Sequence, residues 1–186
     1  MKNREIEVKF LEIDKEALIK KLHELGAKDF GDDFITEIVF YDKEGKWQFD
    51  EVKFVRLRKA KQGITLTFKH KEAHTATGTK EVEFTVDNFE KAKDFLEEVG
   101  LVLYRFQEKK RHKFLLDEVI VDIDTWPSVP TYVELEGPSE EAIKDAASIL
   151  EFDWAKAEFG LAHDVVEGKY NIPVRKLKYF TFDKIE

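Results

Sequence analysis

Charged side chains recur at every second position in several extended segments of this sequence. E-I-E-V-K, residues 5–9, puts Glu5, Glu7 and Lys9 on one face of a strand and the apolar residues on the other, because successive strand side chains point to opposite sides. Later segments repeat this pattern with Arg56 and Arg58; Thr65, Thr67 and Lys69; Glu81 and Glu83; Lys109, Arg111 and Lys113; Asp122 and Asp124; Glu134 and Glu136. A solvated face explains one such segment, but here acids and bases are segregated by segment, which favours a functional site.

Segregated acids and bases suit the binding of a polyphosphate together with a metal ion. Arginine and lysine bind phosphate oxygens, and carboxylates hold Mg²⁺ or Mn²⁺, which can neutralise phosphate charge and activate water. Roughly a dozen buried ionisable groups would cost several kcal/mol each unless they were paired or bound to ions. The pattern therefore indicates a site more than a device for stability.

The elements that must position these residues are strands with a few helices. The chain has 186 residues, of which 42% are hydrophobic and 38% charged, and no linker divides it, so we expect one domain over residues 1–186. Helices are predicted after the N-cap Asp14, after the capping box of Asp87 with Glu90, and from Ser139 to Leu150.

Extended segments follow each of the first two helices. They include a strand over residues 35–42, a region from 47 to 59, and further alternating segments separated by a loop over residues 72–79. We predict an α+β fold in which eight antiparallel strands close into a β-barrel, with the helices packed outside and the polar faces lining a tunnel.

Composition excludes several other classes of function. The formal charge of −8 argues against nucleic-acid binding through a general basic field. The chain has no cysteine, so disulfides, thiolate metal sites and a cysteine nucleophile are absent. No apolar run approaches the roughly 20 residues of a membrane span, and no signal peptide is evident. We expect a cytoplasmic monomer or homodimer without a membrane partner.

Histidines and serines carry weaker signals. His70 and His74 lie four residues apart, but no third ligand accompanies them, so a structural or surface role is favoured over a zinc site. His23 and His112 are interpreted in the same way. No serine lies in a nucleophile elbow, which argues against a serine hydrolase.

The ordered set of motifs resembles the CYTH superfamily, also called the triphosphate tunnel metalloenzymes. E-I-E-V-K matches its E-x-E-x-K signature, V-R-L-R is similar to L-R-x-R, and L-T-F-K matches L-T-x-K. The later segments K-E-V-E, K-K-R-H-K-F, V-D-I-D, V-E-L-E and E-G-K-Y-N-I resemble family elements in the same order. The family often has an aspartate before its Y-F-D stretch, whereas here Glu37 is the nearest acid to F-Y-D.

The resemblance implies roles for individual residues. The implied phosphate-binding residues are Lys9, Arg56, Arg58, Lys69, Lys109 and Arg111, and among them Lys9, Arg56 and Arg58 are the catalytic candidates. The implied ligands of Mg²⁺ or Mn²⁺ are Glu5, Glu7, Asp122, Glu134 and Glu136, with Glu81 and Glu83 as assisting acids.

Three functions are compatible with these roles. The leading hypothesis is a metal-dependent phosphohydrolase that cleaves a triphosphate, either inorganic triphosphate or a nucleoside or thiamine triphosphate. The first alternative is a class IV adenylate cyclase, which converts ATP to cyclic AMP and pyrophosphate. The second is a module that binds polyphosphate or nucleotide without turnover. Both enzymes take a small-molecule triphosphate as substrate and use the same charges, whereas a module that only binds anions would not need so many carboxylates.

Overall fold

The computed structural model describes residues 6–49, 52–71 and 79–186. The chain divides into two compact units, of which unit 1 contains residues 34–109 and 176–186 and unit 2 contains residues 6–33 and 110–175. Strands β2 (Lys28–Asp42) and β6 (Leu101–Leu116) each contribute residues to both units. The single domain expected over residues 1–186 stays a prediction.

Unit 1 is an antiparallel sheet with a helix on its apolar side. Its strands are β3 (Lys53–Ala60), β4 (Gly63–Lys71) and β5 (Thr79–Val86) with parts of β2 and β6, in the order β6-β2-β3-β4-β5. The helices are α2 (Lys46–Phe49) and α3 (Phe89–Glu98), and the short strand β9 (Tyr179–Phe180) pairs in parallel with β6. Alternate apolar residues of β2 and β3, among them Phe40 and Leu57, form its core with Leu96 of α3.

Two local predictions in unit 1 need correction. Residues 47–49 were expected to be extended but form α2, because the Asp42 carboxylate accepts hydrogen bonds from the backbone N–H groups of Lys46 (3.1 Å) and Trp47 (2.7 Å) and so starts a helical turn. Helix α3 is capped by Asn88, whose side chain accepts from the Lys91 N–H at 2.9 Å, one residue after the predicted cap. The predicted loop over residues 72–79 lies almost wholly outside the described residues.

Unit 2 has the same kind of layering. Its strands are β1 (Ile6–Phe10), β7 (Val119–Thr125) and β8 (Tyr132–Gly137) with parts of β6 and β2, in the order β1-β8-β7-β6-β2. Its helices are α1 (Lys15–Glu24), α4 (Glu140–Ile149) and α5 (Ala162–Tyr170). The core combines alternate strand residues such as Val8 and Leu135 with Leu22 of α1 and Ile143 of α4.

The predicted helix starts in unit 2 are confirmed. Asp14 accepts from the Ala17 N–H at 3.0 Å and Ser139 from the Ala142 N–H at 3.1 Å, each satisfying a donor of the first turn.

The predicted α+β class with an antiparallel sheet is also confirmed. Within either unit the described strands form an open sheet, so closure of a barrel stays a prediction. Over the described ranges, none of the helices has the length and apolar character that crossing a membrane requires.

Candidate functional site

The polar face of unit 1 carries a group of charged residues that we call the cation cluster. Its members share one parity on neighbouring strands and are Glu37, Arg56, Arg58, Lys69, Glu81, Glu83, Arg105 and Lys109. The strand register puts Glu37 directly opposite Arg58 and Lys69 directly opposite Glu81. Five cations therefore face three carboxylates, and the cluster retains an excess of positive charge.

Glu37 lies at the centre of the cation cluster. Its side chain is only 3% exposed, and its Oε1 accepts from Arg58 Nε at 2.6 Å. The other oxygen, Oε2, accepts from Gln107 Nε2 at 2.5 Å. Burial raises the pKa of Glu37, but Arg58, Arg56 and Lys109 outweigh burial and hold the pKa well below its ordinary value. Glu37 is therefore a permanent anion among cations.

Arg56 has spare donor capacity at its Nε. Its Nε lies 3.8 Å from Glu37 Oε1 and its Nη2 lies 3.7 Å from Glu83 Oε2. Within the described part of the chain, the buried Nε makes no hydrogen bond. Burial and the neighbouring Arg58 lower the pKa of Arg56, against the opposing effect of the carboxylates. A buried charged donor without an acceptor requires an explanation, and an anionic ligand provides one.

The edge of the cation cluster is more fully paired. Lys69 Nζ lies 2.7 Å from Glu81 Oε2, and the buried Thr67 hydroxyl donates to Glu83 Oε2 at 2.6 Å. Glu81 and Glu83, predicted as assisting acids, thus lie in unit 1 beside basic and hydroxyl groups. Their role toward a metal stays a prediction.

The polar face of unit 2 carries a second group, the carboxylate cluster. It consists of Glu7, Lys9, Arg111, Lys113, Asp122, Asp124, Glu134 and Glu136. The register puts Glu7 directly opposite Glu136 and Asp122 directly opposite Glu134. Like charges in directly opposed positions destabilise a sheet, so this face needs cations.

Arg111 contacts several members of the carboxylate cluster. Its Nε and Nη2 each lie 2.6 Å from an oxygen of Asp124, and its Nη1 contacts Asp122. Nη2 also lies 3.6 Å from Glu134. Burial lowers the pKa of Arg111, but Asp124, Asp122 and Glu134 raise it well above its ordinary value. This guanidinium is held by carboxylates on all of its nitrogens.

Lys9 is another cation of the carboxylate cluster, and its side chain is only 1% exposed. Its Nζ lies 2.9 Å from Glu7, 3.1 Å from Glu134 and 2.9 Å from the carbonyl oxygen of Gly160. Burial lowers the pKa of Lys9, whereas Glu134 and Glu7 raise it, with a net increase. Three acceptors thus surround an ammonium that has three donors.

Asp124 is linked by hydrogen bonds to two aromatic residues, Tyr132 and Trp126. Its side chain is fully buried, Tyr132 Oη donates to it at 3.4 Å, and Trp126 Nε1 donates to Tyr132 Oη at 2.9 Å. Burial and the adjacent Asp124 raise the pKa of Tyr132 well above its ordinary value. The phenol is therefore a lasting hydrogen-bond donor to the carboxylate.

The structure places almost every predicted site residue on one of these two faces. Unit 1 contains Arg56, Arg58, Lys69, Lys109, Glu81 and Glu83, and unit 2 contains Glu7, Lys9, Arg111, Asp122, Glu134 and Glu136. Glu5 and His74 lie outside the described residues. The roles of these residues in binding and catalysis stay predictions.

Sequence reasoning assigned no role to Glu37, Arg105, Gln107, Asp124 or Tyr132. The parity of β6 could have found Arg105 and Gln107, since both share it with Lys109. Asp124 shares its parity with Asp122 and lacked only an assigned role. The pairing of β2 with β3 was needed to find Glu37.

His112 lies on the opposite face of β6. Its Nε2 and Nδ1 face Asp29 (2.8 Å) and Asp32 (3.1 Å), and its ring stacks on Phe114.

The carboxylate cluster offers oxygen donors that could hold a divalent metal ion. Among the described residues, no three His, Asp or Glu side chains converge as ready ligands. The donor set nevertheless fits Mg²⁺ or Mn²⁺, because these hard cations prefer carboxylate oxygens. Two directly opposed carboxylate pairs supply such oxygens, and in the structure Lys9 and Arg111 engage members of both pairs.

Comparison with solved structures identifies the class of fold. A structure of the PH1012 protein from Pyrococcus horikoshii has a TM-score of 0.70 and 24% identity, covering 84% of this chain and 96% of that one. A "putative adenylate cyclase" from Vibrio parahaemolyticus has a TM-score of 0.72 and 15% identity, covering 88% and 97%. A Hippeastrum protein, described as a "putative adenylyl cyclase" with a dominant triphosphatase activity, has a TM-score of 0.63 and 16% identity, covering 87% and 94%. At these identities the likeness establishes the fold.

The family follows from the sequence itself. The CYTH domain model matches residues 3–163, which include both clusters. The chain belongs to the CYTH domain family. No curated protein matches it.

Proposed function

We propose that this protein is a metal-dependent phosphohydrolase that cleaves a triphosphate. The observation that carries the proposal is the cation cluster, where five cations face three carboxylates and Arg56 Nε has no acceptor among the described residues. A polyanion would supply acceptors and neutralise the excess charge. Membership of the CYTH domain family supports the same class of ligand.

In this proposal the cations of unit 1 bind phosphate oxygens. Arg56 and Arg58 offer planar guanidinium groups suited to two-point contact with a phosphate, and Lys69 and Lys109 add point charges. Glu37 accepts from Arg58 and is itself held by Gln107. Binding is then specific for closely spaced phosphates, because the cations lie on adjacent strands.

The carboxylates of unit 2 are proposed to hold Mg²⁺ or Mn²⁺. The candidate ligands are Glu7, Asp122, Glu134 and Glu136, together with Glu5. When bound, the ion would neutralise phosphate charge and lower the pKa of a coordinated water. Arg111 and Lys9 already pair with these carboxylates, so their donors and the ion compete for the same oxygens.

The proposed reaction adds water to the terminal phosphorus and releases phosphate and diphosphate. Lys9 is the candidate for orienting the attacking water or a phosphate oxygen, which requires its ammonium to release one of the three acceptors that it contacts. Arg56 and Arg58 would stabilise charge on the phosphate oxygens as the bond breaks. The closed eight-stranded barrel, the cytoplasmic location and the monomeric or dimeric state remain parts of this proposal.

A class IV adenylate cyclase is the second candidate. Here the 3′-hydroxyl of ATP attacks the α-phosphorus and pyrophosphate leaves. The likeness to the Vibrio parahaemolyticus and Hippeastrum proteins keeps this candidate open. Both reactions use the same phosphate-binding cations.

One assay separates these functions. Purified protein with Mg²⁺ or Mn²⁺ is given inorganic triphosphate, ATP or thiamine triphosphate in turn, and phosphate, pyrophosphate and cyclic AMP are measured. Release of phosphate that stops with EDTA supports the hydrolase, and cyclic AMP with pyrophosphate supports the cyclase. Binding without any product would leave the non-catalytic module, and the absence of binding would refute all three.

A further inference from the structure

We propose that Glu37 is a positioning residue that orients the Arg58 guanidinium for an anionic ligand; the part concerning the ligand rests on the proposed function. Glu37 lies directly opposite Arg58 across the β2–β3 pair, and its Oε1 accepts a hydrogen bond from Arg58 Nε at 2.6 Å. A carboxylate that accepts from Nε fixes the plane of the guanidinium, because the donors of this group lie in one rigid plane.

Glu37 is itself held in one orientation. Its second oxygen accepts from Gln107 Nε2 at 2.5 Å, and Gln107 Oε1 in turn accepts from Arg105 Nε at 2.7 Å. Arg105, Gln107 and Glu37 are all nearly inaccessible to solvent. This buried series of hydrogen bonds runs from β6 to β2 and then to β3 and leaves the Glu37 carboxylate little freedom to move. Glu37 is therefore suited to hold Arg58 in one orientation.

A carboxylate beside a polyanion site would otherwise be a disadvantage. Glu37 repels phosphate, and the sheet keeps it at the centre of the cations. Its presence is explained if orienting Arg58 raises the affinity for the ligand by more than the repulsion of Glu37 lowers it. Removing the charge of Glu37 should therefore raise the affinity if repulsion dominates and lower it if positioning dominates, which makes the proposal testable.

The main test uses Glu37→Gln, which keeps the size and removes the charge. The control is Glu108→Gln, which makes the same change of charge on the same unit, where Glu108 accepts from the Phe182 N–H outside the cation cluster. Calorimetry with inorganic triphosphate measures affinity. Positioning predicts that Glu37→Gln weakens binding by about tenfold, as expected for loss of a charge-assisted hydrogen bond, whereas Glu108→Gln does not weaken it.

Charge alone predicts tighter binding in Glu37→Gln, and that result would overturn the proposal. A double-mutant cycle sharpens the test. In an Arg58→Ala background, Glu37→Gln should no longer weaken binding, because the group that it positions is gone. A loss of equal size in both backgrounds would also overturn the proposal.

A second measurement does not depend on the ligand. In ¹⁵N-labelled protein the Arg58 Nε–H signal, assigned by its loss in Arg58→Lys, should exchange slowly with water, since it donates to a buried carboxylate. Glu37→Gln should accelerate this exchange by about tenfold or more, and Glu108→Gln should leave it unchanged. Equal exchange in Glu37→Gln and the wild type would refute the positioning role.

The two proposals can fail separately. If wild-type protein does not bind triphosphate, the proposed function is wrong, while the exchange measurement still decides whether Glu37 holds Arg58. If Glu37→Gln does not fold, Gln107→Met is used, which keeps the charge of Glu37 but removes the donor to its Oε2. Faster Arg58 Nε–H exchange in Gln107→Met supports the proposal, and unchanged exchange overturns it.

Discussion

The cation cluster of unit 1 and the carboxylate cluster of unit 2 are built on one plan with opposite charge balance. Each has a buried ion of the minority sign at its centre, Glu37 among arginines in unit 1 and Arg111 among carboxylates in unit 2. Glu37 engages Arg58 through Nε, while Arg111 is contacted on all three nitrogens. Unit 1 thus has an excess of cations and retains donor capacity at Arg56 Nε, whereas in unit 2 the carboxylates outnumber the cations that contact them.

The opposite charge balance of the two faces indicates which kind of ligand each would bind. An excess of buried positive charge favours an anion, and opposed carboxylate pairs favour a cation. Arg111 was predicted to bind phosphate, and that role stays a prediction, while in the structure its guanidinium contacts Asp122 and Asp124. Arg56 and Arg58 are the better candidates for direct phosphate contact.

The largest expected effect is on unit 2. Arg111→Met should lower the free energy of unfolding by about 3 to 5 kcal/mol, because three buried or half-buried carboxylates lose their shared cation. Urea unfolding measures the change. Arg175→Met is the control, since Arg175 pairs with Asp164 and Glu167 but is 46% exposed, and exposed pairs contribute about 0 to 1 kcal/mol. Equal losses in the two variants would contradict the central role of Arg111.

The next effect separates the two clusters by ligand. Arg58→Ala should weaken triphosphate binding by about 10- to 100-fold, the range expected for a charge-assisted hydrogen bond, with little change in the Mn²⁺ concentration that supports activity. Glu134→Gln should do the reverse. Calorimetry and metal titration of activity measure both quantities. If each variant altered both to the same extent, the division of roles between the units would be wrong.

A third effect uses the pKa of Glu37, which lies well below its ordinary value in the folded protein. A glutamate in the unfolded chain titrates at about pH 4.3. The contribution of Glu37 to stability is therefore present above that pH and is lost as the pH falls toward the pKa in the folded protein. The difference in unfolding free energy between wild type and Glu37→Gln should therefore shrink below about pH 4. Urea unfolding from neutral to acidic pH checks this. A difference that is the same at acidic and neutral pH would refute it.

The smallest effect concerns the edge of the cation cluster. Thr67→Val should cost about 1 kcal/mol, because it removes the hydroxyl that donates to Glu83 at 2.6 Å. Thr85→Val, at an exposed position of β5, should change stability by less than about 0.5 kcal/mol. Thermal and urea unfolding compare the two. A loss well above that of a single hydrogen bond would show that the edge is as tightly coupled as the centre.

Much of the fold and most candidate residues could be predicted from alternation and capping patterns. Asp14 and Ser139 start helices as expected, because capping depends on residues three positions apart. The start of β2 at Lys28 was missed, since its first half, K-D-F-G-D-D-F, has four charges and a glycine and lacks a regular apolar face. Trp47 was assigned to a strand because the sequence pattern did not show that the Asp42 side chain would bond to residues 46 and 47.

Which residues share a face follows from parity along each strand, a local property that can be read from the sequence. The family also follows from the sequence, through motifs that keep their order over most of the chain. The partners of each charge, in contrast, depend on how the strands are arranged in the folded protein. Glu37 meets Arg58 and Gln107 through separate strand neighbours, and Arg111 meets Asp122 and Asp124 across the β6–β7 pair. Such pairings depend on strand order and register, which no single segment of the sequence encodes.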